Sequence, residues 1–156
     1  MKKVICFLTL LVVGGVVSGC EDRSTPQGIL SMAYSSLEKG DATQFRSLLD
    51  GRAKQEFSNI ARVQELKQKL SSCKFGFGEP VQTGAKPVPR NDGEEWIDRA
   101  FEIDIIEQGE TNTPFITAKV SCLAIKTRCS SNQSHPDARS FPCWEQSECR
   151  ILDLRS

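Results

Sequence analysis

Glu95-Trp96-Ile97-Asp98-Arg99-Ala100-Phe101-Glu102-Ile103-Asp104-Ile105-Ile106-Glu107 carries the alternation that decides the fold. Successive side chains on a strand point to opposite faces. Phe101, Ile103 and Ile105 therefore share one face, and Glu102 and Asp104 share the other. This pattern predicts a half-buried strand, with a core on one side and water on the other. A single strand needs partners, and both flanks supply them.

Downstream, residues 108–113 are turn-rich. Residues 114–126 then read as a strand carrying Phe115, Ile116, Val120, Leu123 and Ile125, and residues 148–154 as a last short one. Upstream, residues 74–82 place Phe75 and Phe77 in alternation, a first strand in which Gly76-Phe77-Gly78 marks a bend. Residues 83–93, rich in Pro, Gly and polar side chains, read as a loop.

Before residue 74 the period is helical. Thr25-Pro26 offers an N-cap followed by proline at the first helical position. Ile29, Ala33 and Leu37, with Leu30 and Tyr34 beside them, form an apolar face, and Gly40 is a C-terminal stop. Asp41 caps a second helix with Gln44 three residues on; Phe45, Leu48 and Leu49 are its buried side and Gly51 its end. A third helix is expected over residues 53–70, with Phe57, Ile60, Val63, Leu66 and Leu70 on its inner side. The fold class is α+β: three N-terminal helices packed on an antiparallel sheet of about four strands.

Cysteines add a second pattern. Cys122 lies in one expected strand and Cys149 in the next, with Cys129 and Cys143 inside the connection. Residues paired across an antiparallel hairpin have numbers of constant total. The totals for Cys122 with Cys149 and for Cys129 with Cys143 differ by one, so nested bridges fit if a bulge intervenes. The pairing expected is Cys122–Cys149 and Cys129–Cys143, with Cys73 a free thiol. Sequence leaves connectivity open, and a local Cys143–Cys149 link is the main rival. Within the insertion, residues 127–147, the stretch from Ser130 to Pro142 is mostly polar, with Phe141 its one large apolar side chain, and has little to bury. A bridge closing about fifteen residues stabilises by about 3 kcal/mol. Metal ligation by these thiols and His135 fits less well, because Cys122-x6-Cys129 and Cys143-x5-Cys149 miss the usual short spacing. No Cys-x-x-Cys occurs, which argues against thioredoxin-like redox work.

The N-terminus says where such bridges form. Lys2 and Lys3 precede an apolar run from Val4 to Val13, and Gly14, Gly15, Ser18 and Gly19 follow. Charge, short apolar core and small residues make up a signal peptide. The run is short for a bilayer-spanning helix, which needs about 20 residues. Val17-Ser18-Gly19-Cys20 resembles the lipobox of bacterial lipoproteins. The resemblance implies cleavage before Cys20, a diacylglyceryl group on its sulfur, acylation of the new amino group with fatty acid such as palmitate, and attachment to the bilayer. The rival is an uncleaved anchor with Cys20 a bystander. Glu21 stands where lipoproteins of enterobacterial type carry Asp for inner-membrane retention, so the resemblance favours the periplasmic face of an outer membrane. The division is residues 1–19 as signal peptide, 20–25 as lipidated cysteine and short tether, and 26–156 as one α+β domain. Export favours disulfides. The 156 residues hold 20 basic and 20 acidic side chains. Loss of Lys2 and Lys3 leaves the mature chain slightly acidic, which gives no electrostatic case for nucleic acid.

Ala33-Tyr34-Ser35-Ser36-Leu37-Glu38-Lys39-Gly40-Asp41, followed by Phe45 and Leu48-Leu49, resembles the opening of exported proteins of the nuclear transport factor 2-like superfamily. The likeness covers about residues 26–154 outside the cysteine-rich insertion. It implies a cone: a bent antiparallel sheet wrapped around a long helix, with a cavity between. That superfamily holds enzymes, binding proteins and scaffolds, so fold alone licenses no activity.

Catalytic vocabulary is sparse. His135 is the lone histidine and precedes a proline in a polar stretch, where a solvated role is expected. There is no Gly-x-Gly-x-x-Gly, phosphate-binding loop or His-Glu-x-x-His, so no cofactor and no metal site is expected. Trp96 and Trp144 read as packing residues before ligand platforms. Asp104 or Glu102 would act as a general base only if its face lined the cavity, as the resemblance to isomerase members allows. The expectation is a membrane-anchored, non-enzymatic binding module for an envelope protein or a small ligand, with the carboxylate enzyme as the alternative. The direction in which the 101–105 face points decides between them.

Overall fold

The structure is a computed structural model that describes residues 22–109, 113–129 and 141–155; the side chains at 128, 129 and 141–143 lie outside that description. Its order is α1 (Pro26–Lys39), α2 (Ala42–Ser47), α3 (Gly51–Glu56), α4 (Ile60–Ser71), β1 (Phe75–Phe77), β2 (Val81–Val88), β3 (Trp96–Glu107), β4 (Pro114–Cys129) and β5 (Phe141–Arg155). The class is α+β: helices packed on a curled antiparallel half-barrel.

The first helix forms as its caps require. Thr25 Oγ1 accepts from the Gly28 amide at 3.0 Å, Pro26 opens the helix, and Gly40 closes it at φ 73°. Asp41 Oδ1 accepts from the Gln44 amide and starts α2. The expected third helix is in fact two. Phe57 turns inward against Phe45, ring centroids 5.7 Å apart, and Asn59 caps a new helix. The Phe57 carbonyl, freed by the break, accepts from Arg46 Nε at 3.1 Å. Gly51 begins α3 rather than ending α2, and Ile60, expected on the inner side, is 51% exposed.

The sheet has five strands among the described residues, not four. β1 and β2 lie end to end along one edge of β3, separated at Gly78-Glu79-Pro80. β2 occupies much of the segment read as a loop. Its Gly84 and Pro87 are tolerated because the strand lies on the sheet's edge. Beyond β3 come β4 and then β5, the last strand. The strands of the β4–β5 hairpin reach Cys129 and start again at Phe141, so most of the expected 127–147 insertion outside residues 130–140 belongs to the ladder.

Phe101, Ile103 and Ile105 are buried on the concave face. They meet Ile116, Ala118, Val120 and Ile151 from the sheet and Ile29, Leu37, Phe45 and Leu70 from the helices. Burying a side chain of this size contributes about 1.5–3 kcal/mol. The outer edge of β5 is closed in part: Ile151 donates to the Leu48 carbonyl and accepts from the Asp50 amide, and the Cys149 amide donates to the Arg23 carbonyl at 2.7 Å. No helix of the described residues is long and apolar enough to cross a membrane.

Candidate functional site

Glu102 and Asp104 stand on the outer, water-facing side of β3. Glu102 lies opposite Lys119, Oε1 to Nζ 2.9 Å, and Asp104 Oδ1 accepts from Thr117 Oγ1 at 2.8 Å. Asp98 extends the row by accepting from Ser121 Oγ. The convex face is thus a ladder of mutually satisfied polar pairs. Neither proposed base lines the interior.

The interior is apolar. Between the helices and the sheet lies a cavity of about 20 Å³, walled by Leu30, Leu37, Phe45, Phe77, Ile105 and their neighbours. That is room for about one water, which needs two or more polar partners to stay. Leu66 and Leu154 separate it from an outer groove of about 90 Å³, whose rim carries Arg62, Glu65 and Lys69. Arg62 is held by Glu65 at 2.8 Å, and Lys69 lies over the Phe115 ring at 5.9 Å.

At the end of the sheet where β1 begins, the Phe75 ring makes edge contacts with Tyr34, Phe77 and Phe115. The Tyr34 hydroxyl donates to Glu38 at 2.7 Å; this bond, with burial and the carboxylate's charge, pushes the phenol up to about 12. Cys73, a free thiol, lies half-buried beside this cluster. Among the described residues no group of three or more His, Cys, Asp or Glu side chains is placed to hold a metal.

The expected Cys122–Cys149 bridge is present, joining directly opposite residues whose Cα atoms are 4.0 Å apart. The nested partner does not follow so simply. Two bulges, between Lys119/Val120 and Leu123/Ala124, each put the extra residue in β5. Nesting needed it in β4. Cys129 therefore faces Phe141 and Cys143 faces Thr127, which leaves the two cysteines diagonal. Their side chains are outside the described residues, as are His135 and Cys20.

Trp96 lies on the outer face with Arg90 stacked 4.4 Å from its ring, and its Nε1 donates to Glu94 at 3.0 Å. Trp144 is half-buried on β5. Trp96 thus serves packing against Arg90 and Glu94.

Two features were not anticipated. Asp153, buried on β5, is paired with Arg155 and lies 3.9 Å from Arg52. The second is at the start of the domain. Asp22 Oδ1 accepts from both the amide and the hydroxyl of Ser24, and these two bonds hold its carboxyl below the usual range. A Cβ on Gly28 would stand 2.1 Å from the Asp22 carbonyl oxygen and 2.5 Å from Thr25 Oγ1. Residues 22–25 thus fold back over the first turn of α1, and only glycine at 28 admits them. Asp-x-Ser ahead of a helix containing an early Gly was the available signal.

Comparison with protein-family models, curated proteins and solved structures finds no match to this chain.

Proposed function

We propose that this chain is an envelope lipoprotein, acylated at Cys20 and held on the periplasmic face of a membrane, the outer membrane being favoured. Its domain is an interaction module for an envelope protein or a small ligand, on a cone of the nuclear transport factor 2-like kind. The observation that carries the reading is where folded structure starts. Asp22, two residues after Cys20, packs over Gly28, and the next residue, Arg23, is bonded to Cys149 of β5. A cysteine so placed joins the domain directly to whatever its sulfur carries. Two or three acyl chains suffice for stable anchoring.

The polar ladder on the convex face favours recognition over catalysis. Asp104 and Glu102, the carboxylates of the enzyme alternative, are engaged there with Thr117 and Lys119. A general base must meet substrate in a water-poor site, and the interior cavity holds neither of them.

Membrane fractionation of cells making the full chain or Cys20→Ala tests the reading. The full chain should sediment with membranes and resist high salt, while the variant should be released. Equal partitioning of the two would overturn the proposal.

A further inference from the structure

The start of the domain fixes more than attachment. Asp22 is clasped by Ser24 and packed over Gly28, and the Arg23 carbonyl accepts from the Cys149 amide at 2.7 Å. Because β5 is the last strand of the sheet, that bond lies on its outer edge. Cys20 is two residues before Asp22, so its Cα stands at most about 7 Å from a residue fixed to the domain.

One neighbour restricts the approach of a surface to this point, and the other side is open. Toward the C-terminal end of β5, the outer edge is occupied by the Leu48–Asp50 segment, with α3 packed behind it. Toward the hairpin, from Ser147 back to Trp144, no described residue is paired with that edge. Trp144 stands there half-buried, and tryptophan is the side chain enriched at the headgroup level of membranes.

We infer that the hairpin flank of β5, from Trp144 to Glu148, is a bilayer-contacting surface, held against lipid headgroups by the clasp at Asp22 and Arg23. The inference rests on acylation of Cys20. Cys73 then lies far from the lipid. It precedes β1 on the opposite edge of the sheet, where Phe75 pairs with Glu107. Arg99, level with Cys122 and Cys149, is eight residues back along β3, about 26 Å at strand spacing. The aromatic cluster around Phe75 is turned away from the bilayer and toward partners.

Full-length protein carrying Trp96→Phe, purified from membranes and placed in phosphatidylethanolamine–phosphatidylglycerol vesicles with headgroup spin labels, tests this. Trp144 emission should be quenched relative to vesicles without the label, and a fluorophore on Cys73, attached in a Cys129→Ser/Cys143→Ser background, should not. If Trp96→Phe folds poorly, the drop in quenching from wild type to Trp144→Phe gives the same answer. A flexible Gly-Ser linker inserted between Glu21 and Asp22 should abolish Trp144 quenching while membrane binding persists. Unquenched Trp144, equal quenching at Cys73, or quenching that survives the linker would overturn the orientation while leaving the tether intact, provided intact mass shows lipid on Cys20. Absence of that lipid would overturn both.

Discussion

Cys122 and Cys149 face each other across the last two strands, bridged and almost fully buried against the core. The bond closes a separation of 27 residues, for which the chain-entropy estimate gives about 3–4 kcal/mol. The paired change Cys122→Ala/Cys149→Ala should lower stability by about that amount, read as a lower urea midpoint with a slope that rises as the unfolded chain expands. Equal midpoints for oxidised wild type and the variant would show that the bridge adds little to the packed hairpin.

Gly28 tests the clasp. Adding a methyl at a position where its carbon would stand 2.1 Å from the Asp22 oxygen must displace residues 22–25. Gly28→Ala should cost about 1–3 kcal/mol, the range for overpacking. Amide exchange at Cys149, whose donor then loses Arg23, should quicken more than exchange at Ile103. A variant as stable and as protected as wild type would remove the clasp from the account.

Acid should loosen the same segment. The Asp22 carboxyl is held below its usual value by the Ser24 hydroxyl and amide. Its folded value therefore lies below its unfolded one, about 3.9. The stabilisation is fully present above the unfolded value and is lost as pH falls through the folded one. Exchange of the Ser24 amide, corrected for its intrinsic rate, should lose protection only in that acid window, and Asp22→Asn should lack the step.

Tyr34 titrates in the opposite sense. As the chain's one tyrosine, it gives an unmixed phenolate absorbance. The hydroxyl's bond to Glu38 lifts it to about 12, above the unfolded value of about 10. Its stabilisation is present below the unfolded value and is lost as pH rises through the folded one. Glu38→Gln should move the absorbance midpoint back toward the ordinary range. A midpoint unmoved by that change would mean that burial, not the carboxylate, sets it.

Much of this was legible in the order of residues. The caps Thr25, Asp41 and Gly40 and the face of Ile29, Ala33 and Leu37 act locally, and α1 and α2 formed where those signals stand. The alternation of Phe101, Ile103 and Ile105 gave the strand and its inward side. The expected third helix failed because Phe57 finds its partner, Phe45, on another element. β2 was hidden because Gly84 and Pro87 read as loop residues unless the strand is known to be an edge. The bulges place their extra residues in β5, and no spacing of cysteines reports on which strand a bulge falls. The carboxylates were found in sequence, but only the fold turned them outward.

The most direct measurement is incorporation of a palmitate analogue into the full-length chain and into Cys20→Ala in bacterial cells. The account predicts label on the chain, retained after hydroxylamine through the amide-linked acyl group and absent from the variant. Label of equal intensity on Cys20→Ala, or none on the wild-type chain, would contradict it.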